Sequence, residues 1–381
     1  MERVKFGDVV REVKENIDRN TDQHEFYIAG EHMDSENIHI TRRGRFEGSD
    51  VGPAFIRLFK PGQILYGSRR TYLKKVAVAD FEGVTSNTTF VLESKDPEKL
   101  LQGLLPFIML TDSFTEYAIK NSKGSTNPYI LFSDLAEYEF ELPELREQKQ
   151  LLELLIACDE AKEAYKKQLQ ATEELVKSQF IEMFGDPESA LTSDHTIAEV
   201  ADVQVGIVIK PTRFYANGID GVKAFRSLNI GPMCIKGEDW VYFTKEAMME
   251  TQRTVAHTGD VLIVRSGNPG TSCVVTPEYD GCNVVDLIIA HPNVDKVLPE
   301  YLCAYTNMPH GKNQIDAQQR GVAQKHFNVG MYNELKLILP PLEEQKRFVD
   351  LLQQSDKSKC LLQEARRIYK NMWRKKDVYR G

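Results

Sequence analysis

The sequence predicts an α+β chain: two globular domains of mixed α/β structure separated by a pair of long antiparallel coiled-coil helices. Three observations predict it. A run of eight residues recurs at an offset of 197. Two long stretches free of glycine and proline carry apolar stripes at helical spacing. The segments before each stretch hold short β-branched runs bounded by Gly, Pro or Asp.

The repeat is the strongest of the three. Leu142-Pro-Glu-Leu-Arg-Glu-Gln-Lys149 matches Leu339-Pro-Pro-Leu-Glu-Glu-Gln-Lys346 at six of eight positions, and the match continues through Leu154/Leu351, Leu155/Leu352 and Asp159/Asp356. The same offset pairs Gly62-Gln-Ile-Leu65 with Gly259-Asp-Val-Leu262, Gly124 with Gly321, and Glu137 with Glu334. Phe6-Gly-Asp-Val9 resembles Ile197-Ala-Glu-Val200 at an offset of 191. The chain therefore reads as one unit written twice, each copy a globular part followed by a helix. The expected parts are a globular domain over 1–141, a central helix over 142–187, a second globular domain over 188–338 and a C-terminal helix over 339–381.

Residues 144–184 contain no Gly or Pro. Their stripe of Leu151, Leu155, Cys158, Tyr165, Leu169, Thr172, Val176 and Met183 predicts an amphipathic helix with a coiled-coil-like seam. Pro143 before it and Gly185-Asp186-Pro187 after it are start and stop signals. At 1.5 Å per residue such a helix is about 60 Å long. Residues 342–376 predict a second, with Leu342, Phe348, Leu352, Ser355, Leu362, Tyr369 and Met372 as its stripe. The helix-pair interface is expected at Leu151, Leu155, Tyr165, Leu169 and Val176 on one side and Phe348, Leu352, Leu362 and Tyr369 on the other. Residues 141–187 carry 6 Lys/Arg and 11 Asp/Glu, whereas 339–381 carry 11 and 6. Opposite net charges of -5 and +5 favour pairing of the two helices.

In the globular parts, Gln63–Tyr66, Lys75–Ala79, Thr88–Leu92, Val261–Val264, Cys273–Thr276 and Val284–Ala290 read as strands. Glu98–Leu110 and Pro299–Tyr305 read as helices. Tyr138–Leu142 and Leu335–Leu339 read as the strands that enter the two long helices.

The 381 residues suffice for two or three domains, and 41% hydrophobic with 27% charged residues is ordinary for a water-soluble globular chain. Runs such as Leu104–Leu110 fall far short of the roughly 20 residues that span a bilayer. The opening Met1-Glu2-Arg3-Val4-Lys5 lacks the apolar core of a secretory signal, so a cytoplasmic protein with no membrane partner is expected. The six cysteines form no CxxC pair and no Cys/His cluster has zinc-ligand spacing, so no metal site is expected.

Catalytic signatures are absent: there is no GxxxxGK[ST] loop, no GxGxxG after a strand and no GxSxG elbow. Asn127-Pro128-Tyr129 reads as a turn. What stands out is basic and amide residues clustered in loops that recur in both halves. The Arg69 and Arg265 segments each follow the aligned Gly-x-x-Leu strand, and the Gly124 and Gly321 loops each precede the last strand. Arg and Lys suit phosphates and guanine, and Asn and Gln suit adenine. Candidate DNA contacts are Arg42, Arg43, Ser68, Arg69, Arg70, Lys74 and Asn127 in the first half. In the second they are Arg213, Arg226, Arg265, Ser266, Asn268, Arg320, Gln324 and Lys325.

Two α/β units, each followed by Leu-Pro-x-Leu-x-Glu-Gln-Lys and a long helix, resemble the specificity (S) subunit of type I restriction–modification systems. Phe180-Ile-Glu-Met-Phe-Gly-Asp-Pro187 and Gly321-Val-Ala-Gln-Lys325 add to the resemblance, which covers essentially the whole chain. It implies that the globular units are target-recognition domains, each reading one half of a bipartite, asymmetric site in double-stranded DNA. The helices would form an antiparallel coiled coil that sets the gap and docks two methyltransferase (M) subunits, with restriction (R) subunits joining through M. It also implies a chain with no cofactor and no catalysis of its own. Glu144 departs from the second copy's Pro341, which leaves the docking geometry of the first copy open. The competing readings are a duplicated-domain nuclease or methyltransferase acting alone, and a coiled-coil scaffold with no DNA partner.

Overall fold

The computed structural model describes residues 2–19, 21, 23–208, 211–216, 221–237, 239–319 and 327–355. It is mixed helix and sheet, and it divides into two compact units at Tyr165/Lys166, within one long helix.

Unit 1 is built on a four-stranded antiparallel sheet in the order Val10–Glu12, Thr89–Ser94, Ile64–Gly67, Val76–Val78. A second sheet runs Gly44–Arg45, Phe26–Ile28, Gly83–Ser86, Phe55–Phe59, with one parallel pair at its centre. Glu2–Lys5 pairs antiparallel with Glu139–Leu142, the strand that enters the long helix. The core gathers Phe6, Tyr66, Phe114 and Phe140 with Leu104 and Leu105. Burying such rings and aliphatic chains supplies the main favourable term in folding.

Unit 2 repeats the plan. Its large sheet runs Ala201–Val205, Leu287–Pro292, Val261–Val264, Ser272–Val274. Its small sheet runs Val241–Phe243, Val222–Phe225, Asn283–Val284, and again holds one parallel pair, between its last two strands. The core is built on Phe180, Tyr301, Tyr305, Tyr332 and Phe348.

The long helix is Leu145–Phe184, 40 residues that begin two positions after Pro143. It stops where Gly185 takes φ +85°, a conformation open to glycine, and donates its N–H to the Ile181 carbonyl at 2.8 Å. Asp186 then caps the next turn through Ser189 N–H at 2.8 Å, ahead of Pro187. In unit 1 the helix is held by His39, whose Nε2 lies 2.5 Å from Asp159, and by Lys162 Nζ, which donates to the Glu36 carbonyl at 3.1 Å. A second helix occupies 342–355, and residues beyond 355 lie outside the described part.

Three sequence expectations are corrected in detail. Leu335–Leu339 is not a regular strand; it makes a single bridge, Thr196 with Lys336. Two backbone bonds tie it to residues 195–197, from Leu337 N–H to the His195 carbonyl at 3.0 Å and from Ile197 N–H to the Leu335 carbonyl at 3.1 Å. Other backbone groups go to side chains: Tyr305 Oη donates to the Lys336 carbonyl and Tyr301 Oη to that of Ile338, each at 2.9 Å, and Lys336 N–H donates to Gln314 Oε1 at 2.9 Å. Val284–Ala290 is two strands of different sheets, broken at Asp286, whose φ is +51°. Glu98–Leu110 is a 3-10 turn, Gln102–Leu104, followed by the short helix Leu105–Met109 with Pro106 in its first turn. Leu101 N–H, which a longer helix would use, is taken by Gln148.

Candidate nucleic-acid interface

In unit 1 the strand Ile64–Gly67 runs out into Ser68, whose carbonyl accepts Ile130 N–H at 3.0 Å. Arg70, at φ +52°, donates its backbone N–H to the Pro128 carbonyl at 2.7 Å and its Nε to Asn127 Oδ1 at 3.2 Å. Arg69 bridges Tyr129, which also bridges Lys123. Two loops some sixty residues apart in sequence are thus zipped together. They bring Arg69, Arg70 and Asn127 to one place beside exposed Tyr72 and Tyr129. Ser68 itself is buried, and its hydroxyl donates to the Thr88 carbonyl. Lys74, at φ +48°, is mostly covered, with its Nζ 2.6 Å from Asp112 and 3.5 Å from Glu36.

The Arg42–Arg45 segment leads into Gly44–Arg45, the edge strand of the second sheet. Arg42 pairs with Asp34 at 2.6 Å. Arg43 stacks its guanidinium on Phe26, 4.0 Å from the ring centroid.

In unit 2 the equivalent zip joins Arg265 and Phe327: Phe327 N–H donates to the Arg265 carbonyl at 3.2 Å. The Arg265 side chain is turned inward. Its Nε donates to the Phe327 carbonyl at 3.1 Å and its Nη1 to Asp286 Oδ1 at 2.8 Å. Arg265 thereby ties the loop that follows the strand Val261–Val264 to the strained residue between two sheets. Ser266 is half-buried and Asn268 exposed, and Asn268 Oδ1 accepts from Lys312 Nζ at 3.3 Å. Lys312 also donates to the Pro269 carbonyl at 2.7 Å, and burial pulls its pKa below the ordinary lysine value. Gly267 and Gly270, at φ +85° and +80°, let this loop turn tightly around the ammonium.

Arg213 is exposed and lies 4.3 Å from the centroid of Phe214. Arg226 reaches the Asp239 carbonyl, and its backbone N–H donates to Asn229 Oδ1 at 2.9 Å. Arg320, Gln324 and Lys325 lie outside the described residues. Tyr129, Lys312 and Asp286 were not among the sequence candidates. Tyr129 sits in the Asn-Pro-Tyr turn, whereas nothing in the local sequence marks Lys312 or Asp286.

The helix-pair residues separate into groups. Val176 joins Phe180, Phe348 and Leu352 in one buried cluster, with the Phe180 and Phe348 rings 5.0 Å apart. Leu155 and Leu151 pack instead on the core of unit 1, because the strand Glu139–Leu142 leads the first helical turns straight onto that core. Tyr165 is exposed, Leu169 is half-exposed, and Leu362 and Tyr369 lie outside the described residues.

Among the described residues no group of His, Cys, Asp and Glu has metal-holding geometry. No described helix is long and apolar enough to cross a membrane. Burial pushes the Cys282 and Cys303 thiols up to about 11 and about 12, so neither is a ready nucleophile.

The Type I restriction modification DNA specificity domain family matches residues 15–174 and 235–368. The chain is 35% identical over 95 residues to the Type I restriction enzyme EcoDI specificity subunit of Escherichia coli, covering 25% of this chain and 20% of that one. It is 23% identical over 299 residues to the Type I restriction enzyme MjaVIII specificity subunit of Methanocaldococcus jannaschii, covering 72% and 68%. Its fold is similar to that of the type I restriction–modification S subunit from M. genitalium, with TM-score 0.58 and 16% identity over 98% of this chain and 94% of that one. It is also similar to a chain from a structure concerned with complex assembly and conformational transition of the type I R-M system, with TM-score 0.53 and 19% identity over 98% and 94%. The family match runs through both zipped-loop units and the long helix that leads from one into the other, and this chain belongs to the type I restriction–modification DNA specificity family.

Proposed function

We propose that this chain is the DNA-recognition subunit of a type I restriction–modification complex. Each unit reads one half of a bipartite, asymmetric site, and the helices set the gap and dock two methyltransferase subunits. Restriction subunits join through those. The chain performs no chemistry itself and acts in the cytoplasm, where its DNA is met. The observation that carries this reading is the zipped pair of loops in each unit, which gathers arginine and amide side chains at the end of equivalent strands. The equivalent positions Ser68 and Arg265 differ in chemistry, which supports two different half-sites. The reading treats the chain as one duplicated recognition unit, with boundaries near 1–141, 142–187, 188–338 and 339–381.

The net charge of -8 fits this division of labour. Basic loops sit on acidic bodies, so the chain alone binds duplex weakly and partner subunits closing around the DNA supply much of the affinity. The test is binding of duplex DNA by the chain with and without its methyltransferase partner, across salt. Tight, steeply salt-dependent binding in the complex only is expected. Methyl transfer or cleavage by the pure chain supplied with DNA, Mg²⁺, ATP and methyl donor would overturn the reading.

A further inference from the structure

A positive charge stands on aromatic rings at the same place in each unit, carried there by exchanged residues. In unit 1 the guanidinium of Arg43 lies 4.0 Å from the centroid of Phe26 and 5.1 Å from that of Phe81. In unit 2 the ammonium of Lys223 lies 5.2 Å from the centroids of both Trp240 and Tyr279. Positions 26 and 223 differ by 197, and so do positions 43 and 240. The strand registers agree, since Tyr27 faces Gly44 in one unit and Ala224 faces Val241 in the other. The central-strand position is therefore the ring in unit 1 and the cation in unit 2, and the edge position is the reverse. The second ring, Phe81 or Tyr279, precedes the strand that pairs in parallel with the central one, Gly83–Ser86 or Asn283–Val284.

The neighbours of Arg43 are neutralised: Arg42 pairs with Asp34 at 2.6 Å and Arg45 with Glu25 at 3.3 Å. Among the described residues Arg43 and Lys223 enter no ion pair. A ring beneath a cation holds its position through the quadrupole and leaves its N–H donors to a ligand.

We propose that Arg43 and Lys223 are equivalent phosphate anchors, one in each unit, which hold the duplex backbone while the zipped loops read bases. This rests on the DNA-recognition reading above. Arginine's planar fork and lysine's point charge make different contacts to base edges, whereas both neutralise a backbone phosphate. A backbone phosphate is the ligand that both side chains bind equally well at one position of the fold.

The experiment measures affinity of the full chain, in complex with its methyltransferase partner, for a mixed-sequence duplex between 50 and 200 mM salt. Arg43→Gln and Lys223→Gln are each expected to weaken binding several-fold. Each should flatten the slope of log affinity against log salt by about 0.9, the release expected for one lost phosphate contact. Between those salt limits each variant then loses about 3.5-fold less affinity than the wild type. Arg43→Lys is expected to keep the wild-type slope, which separates lost charge from lost folding. The motif enriched from a randomised duplex library should be the same in every variant. An unchanged slope in the Gln variants, or a motif altered at one base with the slope intact, overturns the anchor assignment. A wild-type complex with no salt-dependent affinity for DNA overturns the recognition reading itself.

Discussion

Gln148 accepts the backbone N–H of Leu101 on its side-chain oxygen at 3.0 Å, and its amide donates to the carbonyls of Lys99 and Pro143 at 2.8 and 2.9 Å. Gln345 makes the same three bonds in unit 2, with Leu298, Lys296 and Pro340, at 2.8, 3.0 and 2.8 Å. Each glutamine is almost fully buried, at 1% and 0% exposure, and fixes the start of a helix against its own unit. An amide offers one acceptor and two donors, which is what this site requires.

Gln148→Leu leaves one N–H and two carbonyls without their partner, at about 1–3 kcal/mol for an unsatisfied buried group. A lower urea midpoint is expected for Gln148→Leu and for Gln345→Leu alike. Gln→Glu should not restore it, because a carboxylate would face two carbonyls. Equal midpoints for wild type and both Leu variants would contradict this role.

Phe348 is the ring on which the start of the second helix meets Phe180 and Phe184, at 5.0 and 5.8 Å. Phe348→Ala is expected to cost about 3–5 kcal/mol, the usual range for an aromatic cavity. Leu352→Asp should be at least as severe, because it buries a charge in the same cluster. Leu155→Asp should destabilise unit 1, whose core Leu155 enters. Unaltered melting curves would refute the packing.

Arg265→Ala removes the link between Asp286 and the Phe327 carbonyl. It is expected to loosen the loop that follows the strand Val261–Val264 and weaken binding of the selected DNA site in the reconstituted complex. Arg265→Lys should not rescue it, since a single ammonium cannot reproduce the two-armed contact. Unchanged affinity and sequence preference would remove Arg265 from the interface.

His310 donates Nε2–H to the Gly185 carbonyl at 2.9 Å, closing the end of the long helix, and packs edge-to-face on Phe180 with ring centroids 4.8 Å apart. Burial holds its pKa below the ordinary histidine value. The unfolded chain therefore takes up the proton first, near pH 6.5. The contribution is present above that pH and lost as pH falls through it toward the depressed folded value. The urea midpoint of unit 2 should drop between pH 7.5 and 5.5, and His310→Asn, which keeps a donor but does not titrate, should flatten that drop. An identical drop in the variant would assign the pH dependence elsewhere.

Much of the architecture was legible because it rests on local signals. Pro143 and the Gly185-Asp186-Pro187 run bracket the long helix within two residues of its ends. The short apolar runs at 64–66 and 261–264 are central strands. The Leu335–Leu339 segment falls short of a regular strand because, beyond two backbone bonds to residues 195–197, its groups are taken by distant tyrosines and a glutamine, which no local pattern encodes. The loops were legible as basic clusters, but their pairing was not. Arg265 looks the same in sequence as Arg69, yet Asp286, placed by the break between two sheets, turns it inward. The exchange of Phe26/Arg43 for Lys223/Trp240 does not show in the repeat, because the repeat rests on identical residues and these pairs swap chemistry.

The central claim is that two recognition units on one chain read two halves of one DNA site. Enrichment from a fully randomised duplex library by the chain–methyltransferase complex tests it most directly, with Arg69→Ala/Arg70→Ala as the companion variant. A bipartite, non-palindromic motif with a fixed unspecified gap is expected, in which the variant relaxes one half and leaves the other intact. One uninterrupted motif, or loss of both halves together in a folded variant, would contradict it.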